Sequence, residues 1–227
     1  MNVDDLALLA PSAHSLAVRE RLGDAFRRDG HARLEPALTE AFAVQCLRAL
    51  RGADFIAAQR VDPDEGFQIW RFDWDPAHPS PCLDHPLCAL GRAFQSDLLR
   101  WLEAVTGLAL ASPDLPFEAQ RLGKGGFLDP HAHDRAEPPR LGLLLHLATA
   151  PWPATWGGHD EVASALETTD EGTTLHRPTV LAPAWNALDI VDLHRFPWHR
   201  VPLLTRHVDA FRMTFRFREV TSSDLRR

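Results

Sequence analysis

The sequence predicts an α+β chain with a mainly β core, a distorted jelly roll with helices packed outside it. Three observations carry this. Apolar residues recur at helical spacing through the first half, and the period shortens to that of strands from about residue 116. The strand-like half also holds histidines far apart in sequence that a rolled sheet would bring together. With 227 residues and 45% hydrophobic content the chain can bury a substantial core. The simplest organisation is one domain over residues 1–227, with 1–115 a mainly helical support and 116–220 the β core.

The elements follow in order. Leu16, Leu22 and Phe26 fall broadly on one face of a segment that Gly30 ends. Ala43, Cys46, Leu47 and Leu50 repeat at i, i+3, i+4 and i+7 after Thr39, a residue type that caps helix N-termini. Leu90, Phe94, Leu98, Trp101, Leu102 and Val105 keep helical register up to Gly107 and read as one third helix. Between the second and third, residues 66–74 alternate enough for an extended segment or a strand pair. Pro76, Pro79, Pro81 and Pro86 are then expected to force a loop. Beyond residue 116, the runs 117–122, 141–147, 179–181, 187–191, 201–204 and 210–217 are short, apolar or alternating, and divided by Gly, Pro, Asn and Asp, the pattern of an all-β core. Residues 163–178 are polar and read as a surface loop.

Charge and composition exclude several function classes. A formal net charge of −7 gives no overall electrostatic reason to bind nucleic acid or an anionic membrane surface. Cys46, Cys82 and Cys88 are odd in number and lack metal-type pairing, which argues against a disulfide framework and for a reducing cytoplasm. The start Met1-Asn2-Val3-Asp4-Asp5 lacks the basic and apolar stretches of a signal peptide, and no run is long enough to span a bilayer. Lys124-Gly125-Gly126 lacks the spacing of a phosphate-binding loop.

The stretch Gly125-Gly126-Phe127-Leu128-Asp129-Pro130-His131-Ala132-His133-Asp134 carries the strongest chemical signal. On extended backbone, imidazoles one residue apart project from the same face. His199 arrives 66 residues after His133 inside a second strand-like run. His131, His133 and His199 therefore form a candidate three-point metal site.

These residues and those downstream resemble the iron(II)/2-oxoglutarate-dependent oxygenases, in particular the prolyl-4-hydroxylase-like branch. That family reads as a Gly-rich turn, Phe-Leu-x-Pro-His-x-Asp, a hydrophobic strand, Trp-Gly-Gly, Pro-x-x-Asn, Trp-His-x-Val and Arg-x-Ser. This chain has Gly123-Lys124-Gly125-Gly126-Phe127-Leu128-Asp129-Pro130-His131, the apolar run 141–147, Trp156-Gly157-Gly158, Pro183-Ala184-Trp185-Asn186, Trp198-His199-Arg200-Val201 and Arg212-Met213-Thr214. The pieces occur in order across about residues 117–218. The resemblance implies a double-stranded β-helix core, cupin-like, with Fe(II) held by His131, His133 and His199. It also implies 2-oxoglutarate as cosubstrate and O2 as oxidant. Arg212 would grip the far carboxylate of 2-oxoglutarate, with the Thr214 hydroxyl beside it. The implied reaction hydroxylates an unactivated C–H bond of an amino acid, a peptidyl residue or a small biosynthetic intermediate, with succinate and carbon dioxide as co-products. The partner is then a small molecule or peptide, and the oligomeric state is left open.

The chain departs from that pattern in one place. His133 stands where the family carries a carboxylate, and the aspartate comes one residue late as Asp134. Positions i and i+3 of a strand face opposite ways, so alternation favours His133 and leaves Asp134 as the alternative ligand. A site of three neutral imidazoles would leave the ion its full double charge. Two further readings stand beside the main one: a three-histidine dioxygenase whose substrate chelates iron without 2-oxoglutarate, and an inactive metal-binding relative. Halogenating relatives need a small residue where His133 stands, which disfavours that outcome.

Other residues have quieter expectations. His146, inside an apolar run, reads as a core hydrogen-bonding or pocket-wall group, and His159 as a turn or surface residue. Arg206, Arg216 and Arg218 compete with Arg212 for the anchoring role, and Arg216 shares its strand parity. The chain has no tyrosine, so the phenol that many relatives place on the cosubstrate is missing. Trp70 and Trp74 are candidates for a substrate wall with Arg71 to meet an acidic group, and Trp101 for the core.

Overall fold

In the computed structural model, residues 5–61, 66–73, 85–111, 118–132, 139–170 and 172–220 are described. Helix α1 (Leu16–Asp29) buries Leu22 and Phe26. It ends where Gly30 adopts φ 72° and donates its N–H to the Phe26 carbonyl. Strand β1 (His31–Leu34) follows, then α2 (Glu40–Arg51), whose buried stripe contains Ala43, Cys46, Leu47 and Leu50 as the spacing predicts. Thr39 stands at the N-cap, although its side chain makes no capping hydrogen bond. Strands β2 (Ile56–Val61) and β3 (Gly66–Asp73) pair antiparallel. Residues 66–73 are thus extended as expected, but the described residues among the first 115 include strands β1, β2 and β3 as well as helices. Strands of four and six residues, as in β1 and β2, are too short to imprint a clear alternation on the sequence.

The expected third helix is two, α3 (Pro86–Ala93) and α4 (Asp97–Thr106). Ser96 breaks the register at φ −133° and ψ −109°, and its hydroxyl donates to the Arg92 carbonyl at 3.0 Å. Both halves keep their apolar stripes toward one core, so spacing alone reads straight through the break. Pro86 does not force a loop. It occupies the first turn of α3, where a missing N–H costs no hydrogen bond. Pro76, Pro79 and Pro81 lie outside the described residues.

The remaining strands are β4 (Glu118–Arg121), β5 (Phe127–Ala132), β6 (Leu141–Ala148), β7 (Asp160–Ala163), β8 (Leu166–Thr169), β9 (Gly172–Leu175), β10 (Thr179–Leu181), β11 (Trp185–Asp192), β12 (Trp198–Val201) and β13 (Ala210–Phe217). Two expectations change here. The apolar run at 201–204 is the end of β12 and the loop after it, and within 163–178 strands β8 and β9 pair as a hairpin. That hairpin is rich in threonine and mostly exposed, so it has the backbone preference of strands without an apolar face.

The sheet runs β1-β11-β6-β13-β4-β3-β5-β12-β7-β10, and every pairing is antiparallel. It curls so that β1-β11-β6-β13-β4 faces β5-β12-β7-β10 across a shared cavity, a double-stranded β-helix. Helices cover the outer face of the first group. Every position of β6 is buried because Leu141, Leu143, Leu145 and Leu147 join the helical core while Gly142 and Leu144 line the cavity. Phe94 before α4 meets Phe215 of β13 with ring centroids 4.1 Å apart.

The Pro-Ala-Trp-Asn turn has a structural task. Asn186 sits at φ 53°, fully buried, and brackets Leu38 by accepting its N–H at 2.8 Å and donating to its carbonyl at 2.7 Å. Asparagine tolerates the left-handed region and supplies both a donor and an acceptor there. Cys46 and Cys88 are both buried, and burial pushes the Cys46 thiol up to about 12, so it packs as an apolar side chain. Among the described residues no helix is long and apolar enough to cross a membrane.

Candidate active site

Strands β5 and β12 place His131 and His199 as direct Cα partners. Their ring centroids are 3.7 Å apart. His131 Nδ1 lies 2.9 Å from the Asp129 carbonyl. A carbonyl only accepts, so the proton sits on Nδ1 and the lone pair on Nε2, the form in which an imidazole binds a metal. Both rings line a cavity of about 210 Å³ between the two halves of the roll. His133 and Asp134, the two candidates for a third ligand, lie outside the described residues. Among the described residues, no group of three or more His, Cys, Asp or Glu side chains forms a metal cluster. Two facing imidazoles at the end of a strand suit Fe(II), given one further donor from the residues that follow His131.

Strand alternation carries Arg212, Thr214 and Arg216 of β13 to the wall of the same cavity. Arg212 lies deepest, 4% exposed, whereas the Arg216 side chain is 42% exposed and 3.8 Å from Glu118. Burial pushes the Arg212 guanidinium down to about 10, with Glu118 opposing, so it remains charged at neutral pH. Arg206 and Arg218 are not among the residues lining the cavity. The flanks are apolar, from Leu144, Val162, Val191 and Leu193.

The tryptophan wall is corrected. Trp70 faces away from this cavity and covers Gly123, where a Cβ would meet its ring at 2.8 Å. The β3 residues lining the cavity are its alternate neighbours Phe67, Ile69 and Arg71. Trp74 lies outside the described residues, and Trp101 is buried with its indole N–H donating to the Ala13 carbonyl at 3.1 Å.

Asp160 is the site residue that sequence reasoning missed. Arg212 donates from one terminal nitrogen to Asp160 and from the other to the side-chain oxygen of Gln120, whose amide in turn donates to Glu118. A buried guanidinium suits a carboxylate in charge, and the carboxylate that Arg212 holds here is that of Asp160. Gly157 positions this end of β7. At φ 71° it presses against the chain after β12, and a Cβ there would lie 2.0 Å from the Leu203 carbonyl oxygen. The available signal was parity, since Asp160 shares an inward face with the apolar Val162.

Beside Arg212, on the same inward parity, lies a second polar group. His146, its Cα partner on β6, is fully buried with Nε2 3.1 Å from Asp189, close but poorly aligned for a hydrogen bond. Asp189 accepts from Arg33 at 2.6 and 2.8 Å and lies 2.8 Å from His31 Nε2. Burial pushes His146 toward its neutral form. Burial of Asp189 works the other way, but His146, His31 and Arg33 hold its carboxyl well below the usual range. His159 is not a surface residue. It is 6% exposed with Nε2 3.0 Å from Glu161, because β7 packs between β10 and β12 and buries every position.

No protein-family model and no curated protein sequence matches the chain. Solved structures do. A prolyl hydroxylase from Trichoplax adhaerens, in complex with a hypoxia-inducible-factor peptide fragment, is similar at TM-score 0.62 and 14% identity, over 90% of this chain and 92% of that one. A prolyl-4-hydroxylase from Pseudomonas putida is similar at TM-score 0.58 and 16% identity, over 89% and 100%. HygX from Streptomyces hygroscopicus, with nickel and 2-oxoglutarate bound, is similar at TM-score 0.60 and 15% identity, over 87% and 86%. In architecture, this chain has the double-stranded β-helix fold of the 2-oxoglutarate- and iron-dependent oxygenases.

Proposed function

We propose that the chain is an Fe(II)- and 2-oxoglutarate-dependent dioxygenase that hydroxylates an unactivated C–H bond of an amino acid, a peptidyl residue or a small biosynthetic intermediate. The observation that carries this reading is the meeting of His131 and His199 with Arg212 and Thr214 around one cavity, from its two facing walls. Structural neighbours with metal and 2-oxoglutarate bound support the pairing of that cavity with those groups.

In this reading His131, His133 and His199 hold the ion, with Asp134 as the alternative third donor. When bound, the metal and 2-oxoglutarate supply the oxidation: the cosubstrate is decarboxylated to succinate and carbon dioxide, and the two atoms of O2 go to succinate and to the substrate C–H bond. Arg212 fixes the cosubstrate's far end by charge, and Thr214, two residues on and facing the same way, adds a hydroxyl hydrogen bond. Leu144, Val162, Val191 and Leu193 exclude water around the reacting end. Arg71 and Arg216, nearer solvent, are placed to meet an acidic group of the substrate. The helices belong to the same domain as the roll and stiffen its outer sheet.

The test is anaerobic titration of the Fe(II) protein with 2-oxoglutarate, followed by oxygen exposure and succinate assay. Expected are a visible charge-transfer band on titration and one succinate per O2 consumed. Oxygen uptake with a substrate but without 2-oxoglutarate would overturn this reading in favour of substrate-chelating chemistry.

A further inference from the structure

The guanidinium suited to a dicarboxylate's far end already holds a carboxylate of this chain. Arg212 donates to Asp160, and both residues are 4% exposed, so water does not screen the contact. The contact is also not a consequence of neighbouring strands. Asp160 is on β7 and Arg212 on β13, in opposite halves of the roll, so the pair spans the cavity interior. Val162 is the Cα partner of His199, and Asp160 is the next residue on that inward face. Asp160 therefore stands one alternate position along β7 from the histidine pair, at the Arg212 end of the cavity.

The pair is incomplete. Asp160 Oδ2 and Arg212 Nε are both buried and have no hydrogen-bond partner among the described residues. A settled guanidinium–carboxylate pair uses two parallel hydrogen bonds, and buried acceptors are ordinarily matched. Here one carboxylate oxygen meets one terminal nitrogen, while the other terminal nitrogen serves Gln120. Such a contact is open to exchange with a ligand carboxylate that engages the guanidinium more fully.

We propose that Asp160 is an internal competitor for the cosubstrate anchor: its carboxylate and the far carboxylate of a 2-oxo diacid occupy Arg212 in turn, so Asp160 sets the affinity and selectivity of the pocket. The inference rests on Arg212 being that anchor. Two carboxylates on one guanidinium repel each other, so the diacid binds only as Asp160 leaves, and its apparent affinity falls by the fraction of molecules with Arg212 open. A 2-oxo acid without a far carboxylate needs no such exchange. Asp160 therefore acts mainly to narrow the difference between 2-oxoglutarate and shorter 2-oxo monoacids.

The experiment is calorimetric binding of 2-oxoglutarate and of 2-oxobutanoate to the full chain loaded with Ni(II), which binds without turnover. Wild type, Asp160→Asn and Asp160→Ala are compared, with a thermal melt of each; Asn keeps the shape and removes the charge. Expected is 2-oxoglutarate binding about tenfold or more tighter in both variants, the size of one charged hydrogen bond, with 2-oxobutanoate changed by less than about twofold. The wild type alone should prefer 2-oxoglutarate over 2-oxobutanoate by less than about tenfold, a measurement that stands even if a variant does not fold. A larger wild-type preference, or 2-oxoglutarate affinity unchanged or weakened in the variants, would overturn the proposal and leave the anchor intact. Ni(II) binding with no 2-oxoglutarate binding by any form would instead remove the anchor itself. Binding by the variants but not the wild type would be the strongest support.

Discussion

His131 and His199 stand directly opposite each other across the β5–β12 pair, with ring centroids 3.7 Å apart. Their approach is set by backbone register, so neither ring depends on a long flexible side chain to reach the other. If they hold the ion, His131→Ala or His199→Ala should weaken divalent-metal binding by more than the roughly 10–100-fold typical of losing an outer hydrogen-bond partner. Anaerobic Fe(II) titration of each variant reads this out, and wild-type affinity in either one would remove that residue from the site.

The third ligand is decided by a pair of variants. On the proposed reading, His133→Ala should lose metal and Asp134→Ala should retain it, because on an extended path residues 131 and 133 would share a face. The opposite result would assign the aspartate and require the chain to leave an extended path after Ala132.

Arg212→Ala should destabilise the fold by about 3–5 kcal/mol, because it leaves the Asp160 carboxylate buried without its cation. Replacing both partners, as Arg212→Met with Asp160→Leu, should recover most of that loss. Urea denaturation compares the three proteins; a double variant no more stable than the single one would mean that the ion pair is not the source of the loss.

Acid should destabilise the protein in two stages. His146 is pushed below its ordinary value, so as pH falls from about 6.5 the unfolded chain takes up a proton that the folded chain refuses, and stability drops. Asp189 is held well below the carboxylate range, so its stabilising contribution is full above about pH 4 and is lost as pH falls toward its folded value. His146→Gln should flatten the upper stage specifically, measured as the difference in urea stability from wild type between neutral pH and about pH 5. Parallel curves would show that other histidines produce it.

Gly157→Ala should cost at least about 1–3 kcal/mol, because the residue combines a positive φ with a Cβ position 2.0 Å from the Leu203 carbonyl oxygen. A melting temperature unchanged from wild type would show that the turn before β7 can relax.

Much of the roll was legible because its strands carry long alternating or doubly buried runs, as β6, β11 and β13 do. His131, His199, Arg212 and Thr214 were singled out by their motifs' resemblance to one oxygenase family, and all four line one cavity, as parity along their strands allows. Less was legible where local signals conflict with packing. Ser96 breaks a helix whose apolar register continues across it, Pro86 starts a helix where proline usually marks a loop, and β8–β9 form a hairpin with no apolar face to announce it.

By itself the sequence determined the change from helical to strand period, the shared parity of Arg212 and Thr214, and the likeness of its motifs to one oxygenase family. These follow from side-chain alternation and turn chemistry, which act over a few residues. Only the tertiary structure decided that Trp70 turns away while Phe67 and Ile69 line the cavity, that His146 and Asp189 meet beside Arg212, and that Asp160 reaches across the roll to Arg212. Those outcomes depend on how two sheet halves curl toward each other. The curl brings together residues 52 positions apart, such as Asp160 and Arg212, whose meeting no local pattern encodes.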